Sequence, residues 1–269
     1  MRFRSLLLAG AAMFSACTAR VGASTGETFV LASTTSTQDS GLLDHITAEF
    51  EESHRDMRVK VVAVGSGEAM DLGRSGDADV LLVHSPREEE EFMQAGYGVF
   101  RLPVMRNDFV IAGSPQDPAH LGGLADAVEA FSRIARAQAP FVSRGDNSGT
   151  HTRELQTWKA SGVNPKASWY VETGQGMGET LIVASEKRAY VLTDTASLTV
   201  GRGAGDIAVL VTRDARLINP YSVIPVASSR HPGPAREFAE WITGPEGQDE
   251  IAEFGRAEYG APLFTPTAK

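Results

Sequence analysis

Apolar and polar positions along the chain follow two alternating rhythms. Short β-prone runs occur at residues 28–32 (TFVLA), 58–64 (RVKVVAV), 78–83 (ADVLLV), 107–112 (NDFVIA), 140–143 (PFVS), 189–193 (AYVLT) and 221–226 (YSVIPV). Between them apolar residues return at helical spacing. Leu42, Leu43, Ile46, Ala48 and Phe50 mark one helix, and further helices are predicted at residues 131–136, 150–159, 177–186, 235–242 and 245–254. Strands alternating with helices imply right-handed βαβ units and an α/β fold. The apolar run at 78–83 suits a strand covered on both faces. After residues 107–112 the pattern restarts, with no fixed-period repeat and no low-complexity linker. The reading is therefore two α/β lobes between which the chain passes more than once. The expected division is residues 28–107 and 226–269 for the first lobe and 108–225 for the second, with crossings near Asn107 and Val226.

The first residues break this rhythm. Arg2 and Arg4 precede an apolar run at residues 6–14 that is far shorter than the roughly 20 residues a membrane-spanning helix needs, and small residues follow. Residues 1–16 thus read as a secretory signal and 17–27 as a tether. Cys17, the chain's single cysteine, stands where a lipoprotein box (here FSAC) places its lipidated thiol. One cysteine also excludes an intrachain disulfide. The expected location is outside the cytoplasmic membrane, with a lipid anchor at Cys17 or as a free protein cleaved nearby. The formal charge of −9 becomes −11 without residues 1–16. Such an acidic protein lacks the clustered Lys and Arg that nucleic acids and anionic membranes demand. A small anion in a cleft remains compatible, because local dipoles and one Arg can hold it.

Three turns put hydroxyls and glycines ahead of predicted helices: Ser33, Thr34, Thr35 and Ser36; Gly65, Ser66 and Gly67; and residues 143–150 (SRGDNSGT). Helix N-termini carry unpaired N–H groups and partial positive charge, and Ser or Thr adds a hydroxyl donor. Taken singly, each such turn reads as an ordinary cap. Arg144 makes the third more pointed, since it adds a charge and a planar donor fork.

Residues 144–150 (RGDNSGT) resemble the Arg-x-Asp-x-Ser-Gly-Thr turn of type II periplasmic binding proteins for phosphate and tungstate. Residues 34–44 (TTSTQDSGLLD), 76–86 (GDADVLLVHSP), 172–178 (ETGQGMG), 219–221 (NPY) and 244–248 (GPEGQ) resemble, in combination, the binding component of the Tup-type tungstate importer. The resemblance runs through nearly all of the chain beyond the signal. It implies a two-lobed fold with a ligand cleft between lobes, closing by hinge motion. It further implies tungstate as ligand, an ABC permease as partner, a monomer, and no cofactor, resident metal or catalysis. By matching positions, Thr34, Thr35 or Ser36 and Ser66 would meet the anion from one lobe, and Arg144, Ser148, Gly149 and Thr150 from the other, with Asp146 orienting Arg144. One departure is Thr195, where the family commonly has Arg.

Molybdate, phosphate and sulfate are the alternative ligands. Phosphate carries a proton near neutral pH and favours a carboxylate acceptor, supplied in phosphate binders by a Ser-Asp pair. His84 and Ser85 stand there instead, which favours a fully ionised anion; His84 itself reads as a packing or surface residue. A periplasmic hydrolase is the alternative of another class. Ser148, His151 and Asp146 lack the spacing of a triad, and the six histidines form no zinc motif.

Overall fold

The computed structural model describes residues 26–166, 168–201 and 205–268. Residues 1–25, and with them the basic start, its apolar run and Cys17, lie outside the described residues. Among those described, no helix is long and apolar enough to cross a membrane.

The first lobe opens with β1 (Glu27–Thr34), α1 (Thr35–Asp39), α2 (Leu42–Ser53), β2 (Met57–Val64), α3 (Ser66–Ser75), β3 (Val80–Val83) and α4 (Pro86–Gln94). β1 pairs in parallel with β2 on one side and β3 on the other, the arrangement that two βαβ units produce. The long strand β4 (Leu102–Gly113) leads out of this lobe. The second lobe contains α5 (Ala127–Ala137), β5 (Phe141–Ser143), α6 (Gly149–Ala160), β6 (Tyr170–Glu172), α7 (Met177–Glu186), β7 (Tyr190–Asp194), α8 (Thr195–Val200) and β8 (Ala208–Val211). The chain ends with β9 (Ile218–Pro225), α9 (Pro232–Thr243), α10 (Pro245–Glu253), α11 (Arg256–Tyr259) and β10 (Thr265–Pro266).

The chain crosses between the lobes within β4 and returns just ahead of β9. β4 pairs antiparallel with β9 from Leu102 to Asp108 and with β7 from Phe109 to Ala112, so it changes lobes between Asp108 and Phe109. β9 pairs antiparallel with β3 and with the first half of β4. Residues 218–225 therefore belong to the first lobe's sheet, and the return crossing precedes β9 instead of lying near Val226. The apolar run at 221–226 carries no mark of which sheet it joins, because buried strands of either lobe read alike.

Each lobe buries its sheet on both faces. In the first, Phe29, Phe50, Phe238 and Trp241 pack under α2 and α9, while Met70, Leu81 and Phe92 fill the opposite face under α3 and α4. In the second, Phe131, Phe141 and Trp158 pack with α5 and α6, and Met177, Leu181 and Val191 with α7. Glu154 of α6 is buried against the second core and accepts from Trp158 Nε1 at 3.0 Å and the Tyr170 hydroxyl at 2.8 Å. Burial outweighs these bonds and pushes its pKa up to about 7.

That shift makes stability depend on pH with a defined sign. Between the ordinary glutamate value and about 7, the folded protein holds a proton that the unfolded chain gives up. The contribution is full at low pH and is lost as pH rises through the folded value, to an extent of up to about 3 kcal/mol. Glu154→Gln keeps the acceptor oxygen and removes the titration. Thermal melts at about pH 5 and about pH 8 are expected to differ less in the variant than in the wild type by the share Glu154 contributes.

Candidate anion-binding site

The three hydroxyl-bearing turns converge where the lobes meet. Thr34 caps α1: its Oγ1 lies 2.7 Å from Thr37 Oγ1 and 3.3 Å from Ser36 Oγ, and accepts the Thr37 N–H at 3.4 Å. Ser66 begins α3, directly after Gly65. Ser148 caps α6, accepting the His151 N–H at 3.3 Å. A side chain at Gly65 would meet the carbonyl oxygens of Asn147 and Asp146 at 3.5 and 3.7 Å, so the first lobe's turn lies against the second lobe's backbone. Gly149 is tighter still. A Cβ there would sit 2.6 Å from Cε1 of His84, a distance that real Cβ atoms do not tolerate.

Arg144 spans this interface at 2% exposure. Its Nε and Nη2 donate to Asp146 Oδ2 at 3.0 and 2.6 Å, and Nη2 also donates to Thr35 Oγ1 in the other lobe at 2.9 Å. Asp146 Oδ1 accepts the Ser148 N–H at 3.2 Å, tying the guanidinium to the start of α6. The third nitrogen, Nη1, is buried and has no hydrogen-bond partner among the described residues. Five further buried atoms share that condition: Ser66 Oγ, Thr150 Oγ1, Ser85 Oγ, His84 Nε2 and His151 Nε2. Burying a polar group without a partner costs roughly 1–3 kcal/mol, so a set of them in one region is unusual for a purely structural interface. None is a carboxylate, and Arg144 Nη1 and the hydroxyls of Ser66, Thr150 and Ser85 are donors. Such a set suits a ligand that only accepts.

Of the positions singled out in the sequence, Ser66, Arg144 and Thr150 carry these unpartnered atoms. Thr35 bonds Arg144, Thr34 and Ser36 bond each other, Ser148 serves as a cap, and Gly149 makes room for His84. Ser85 and both histidines were not singled out as ligand-binding. His84, read from the sequence as a packing or surface residue, is buried, and nothing in its local sequence announces an unpaired ring nitrogen. Burial holds its pKa down at about 4. His151, lowered by burial as well, uses Nδ1 to accept the Asn147 N–H at 3.0 Å, so its ring does not pair with the Ser148 hydroxyl as base with nucleophile. Thr195 begins α8 and lines a separate cavity of about 410 Å³ with Leu181 and Val209. A cleft of about 320 Å³ between α4 and α6 is lined by Ser85, Arg87, Glu91, Gly149 and Arg153, and of the residues with unpartnered atoms only Ser85 reaches it.

Two α/β lobes between which the chain crosses twice, with unpartnered donors at their junction, define a solute-binding protein. The chain belongs to the PBP superfamily, whose domain model matches residues 18–246, and within it to the family of TupA proteins. The tungstate-binding protein TupA of Peptoclostridium acidaminophilum is 43% identical over 245 residues, 89% of this chain and 85% of its own. The crystal structure of the tungstate ABC transporter from Geobacter sulfurreducens is 44% identical and superposes with a TM-score of 0.75, covering 85% of this chain and 99% of that one. TupA from Desulfovibrio alaskensis G20 is 39% identical with a TM-score of 0.74, over 91% of this chain and 100% of its own.

The contact between His84 and Gly149 joins residues of different lobes, which gives it a distinct signature. Gly149→Ala is expected to leave both lobes folded and hold them apart. Small-angle X-ray scattering should then give a larger radius of gyration than the wild type in its closed state. An unchanged radius would mean the lobes do not close through this contact.

Proposed function

We propose that this protein captures tungstate between its lobes and delivers it to the permease of an ABC importer. The observation that carries the reading is the set of buried, unpartnered donors on Ser66, Thr150 and Arg144, drawn from both lobes. Fully ionised tetrahedral oxyanions such as tungstate present only acceptors, and each oxygen can take a bond that the protein leaves unmade. The names of the relatives supply the particular anion, since several bind tungstate. Capture needs no turnover and no cofactor, and it fits a monomer working outside the cytoplasmic membrane. Molybdate, of the same charge and nearly the same size, would satisfy the same donors.

The mechanism follows from the hinge strands. With β4 and β9 flexing near Asp108 and Ile218, the lobes part and the donors hydrate. An entering anion first meets one lobe; closure then brings Arg144 against Thr35 and seals the cleft. Closure without ligand strands the six atoms, so the anion supplies the free energy that holds the lobes together.

Arg144→Lys tests this reading. Lysine keeps the charge and loses the fork that bonds Asp146 through two nitrogens while presenting a third. A charge-assisted bond contributes roughly 1.5–3 kcal/mol, so titration calorimetry is expected to give tungstate binding weakened by about ten- to a hundredfold. Circular dichroism should show an unchanged fold. Saturating tungstate should also raise the wild-type Tm, as binding to the native state alone requires. Equal affinity in a folded variant would remove Arg144 from the site.

A further inference from the structure

His84 follows β3 in the first lobe, touches Gly149 of the second and packs its ring 4.6 Å from that of Tyr221 on β9. Its protonation pattern is dictated by a relay of amides. Asp194, at the end of β7, offers only acceptor oxygens, so Asn107 of β4 must turn its amide nitrogen to it, at 2.8 Å. That leaves Asn107 Oδ1 to accept from Asn219 Nδ2 at 2.7 Å. Asn219 Oδ1 is then what faces His84 Nδ1, at 2.9 Å. An amide oxygen cannot donate, so Nδ1 carries the hydrogen. A neutral imidazole has only one N–H, and Nε2 is therefore a bare lone pair, buried at 4% exposure and without a partner among the described residues.

His151 is fixed the opposite way. Its Nδ1 accepts the Asn147 N–H, so its unpartnered Nε2 carries the hydrogen and donates without any change of charge. The two histidines thus present one acceptor and one donor. The acceptor is the anomaly, because a fully ionised oxyanion would set its own lone pairs against it. A singly protonated anion such as hydrogen phosphate could bond it directly.

Resting on the tungstate reading above, we propose that His84 takes one proton from solvent at Nε2 as a fully ionised oxyanion binds, and as an imidazolium donates a hydrogen bond from that Nε2–H to an anion oxygen. The site then holds two positive charges, on Arg144 and His84, against a dianion. Protonation makes His84 a specificity-determining residue, because it turns the one acceptor that favours hydrogen phosphate into a donor.

The charged and titratable groups around the ring are consistent with this. In the closed arrangement burial holds the ring's pKa at about 4; the Asn219 bond raises it, and Arg144 and Arg153 lower it. Tyr221 on β9 is neutral at these pH values, its pKa raised by burial, and Asp194 is reached only through the two amides. Closure without an anion thus leaves His84 neutral near neutral pH, whereas a dianion opposes the two arginines and raises the ring's pKa. Proton uptake accordingly occurs above the free value and ceases above the bound one. Affinity falls as pH rises through that window, by up to about tenfold per unit. Asp39 on α1 is a rival proton acceptor, since burial raises its pKa while Arg144 lowers it.

The test is calorimetric titration of the full protein with tungstate between about pH 6.5 and about pH 8.5, in two buffers of different ionisation enthalpy, to read protons taken up per anion. Uptake approaching one proton in the wild type, lost in His84→Gln and retained in His151→Gln and Asp39→Asn, is the expected result. Wild-type affinity independent of pH, with no proton uptake, overturns the inference and leaves the function standing. Uptake that persists in His84→Gln and disappears in Asp39→Asn overturns it too. Absence of tungstate binding at every pH overturns both.

Discussion

A guanidinium buried between two lobes sets the terms for the rest of this molecule. Taking a full charge out of water is expensive unless a partner and further hydrogen bonds surround it. Asp146 supplies the partner from two residues away, and Thr35 reaches across from the other lobe to supply one more bond. One nitrogen is left over. The closed arrangement is therefore incompletely satisfied by the protein's own atoms, and the same holds for the hydroxyls of Ser66 and Thr150 from facing helices. An anion seated there would gain less from new contacts than from completing ones already prepared.

The hinge is made of the same material as the site. β4 and β9 carry Asn107 and Asn219, and these amides connect Asp194 at the end of β7 with His84 at the end of β3. A rotation about the hinge strands must move both ends of that chain. Lobe geometry and the direction of each hydrogen bond are thus coupled, because every amide in the chain has one orientation that satisfies its neighbours.

Much of this was legible in the residues. The expected helices at 150–159 and 177–186 correspond to α6 and α7, and the strand at 78–83 to β3, because glycine-bearing turns precede both helices and an unbroken apolar run marks the strand. The turn at 144–150 announced itself through its arginine and glycines. Less was visible where polarity hid structure. The five residues of α1 (TSTQD) have no apolar stripe, and β4 begins at Leu102, well before the run at 107–112, through Pro103 and Arg106. The lobe to which β9 belongs depends on pairing with β3 and β4, which no local pattern encodes. His84 was unreadable for a related reason: its chemistry comes from Asn219 and Asn107, far away in the chain, and from a glycine across the cleft.

The packing of His84 against Gly149 has a mechanical consequence. Where a backbone and a ring already touch with no room for a methyl group, the lobes have reached the end of their travel. Closure can go no further than this contact allows, so an anion cavity between the lobes would behave as a gauge of preset minimum width. A tetrahedral ion smaller than the gauge is left with stretched bonds on one side, and a larger one keeps the lobes from seating. Ions of equal charge and nearly equal radius pass the same gauge, so any preference between them must arise from how strongly their oxygens accept hydrogen bonds.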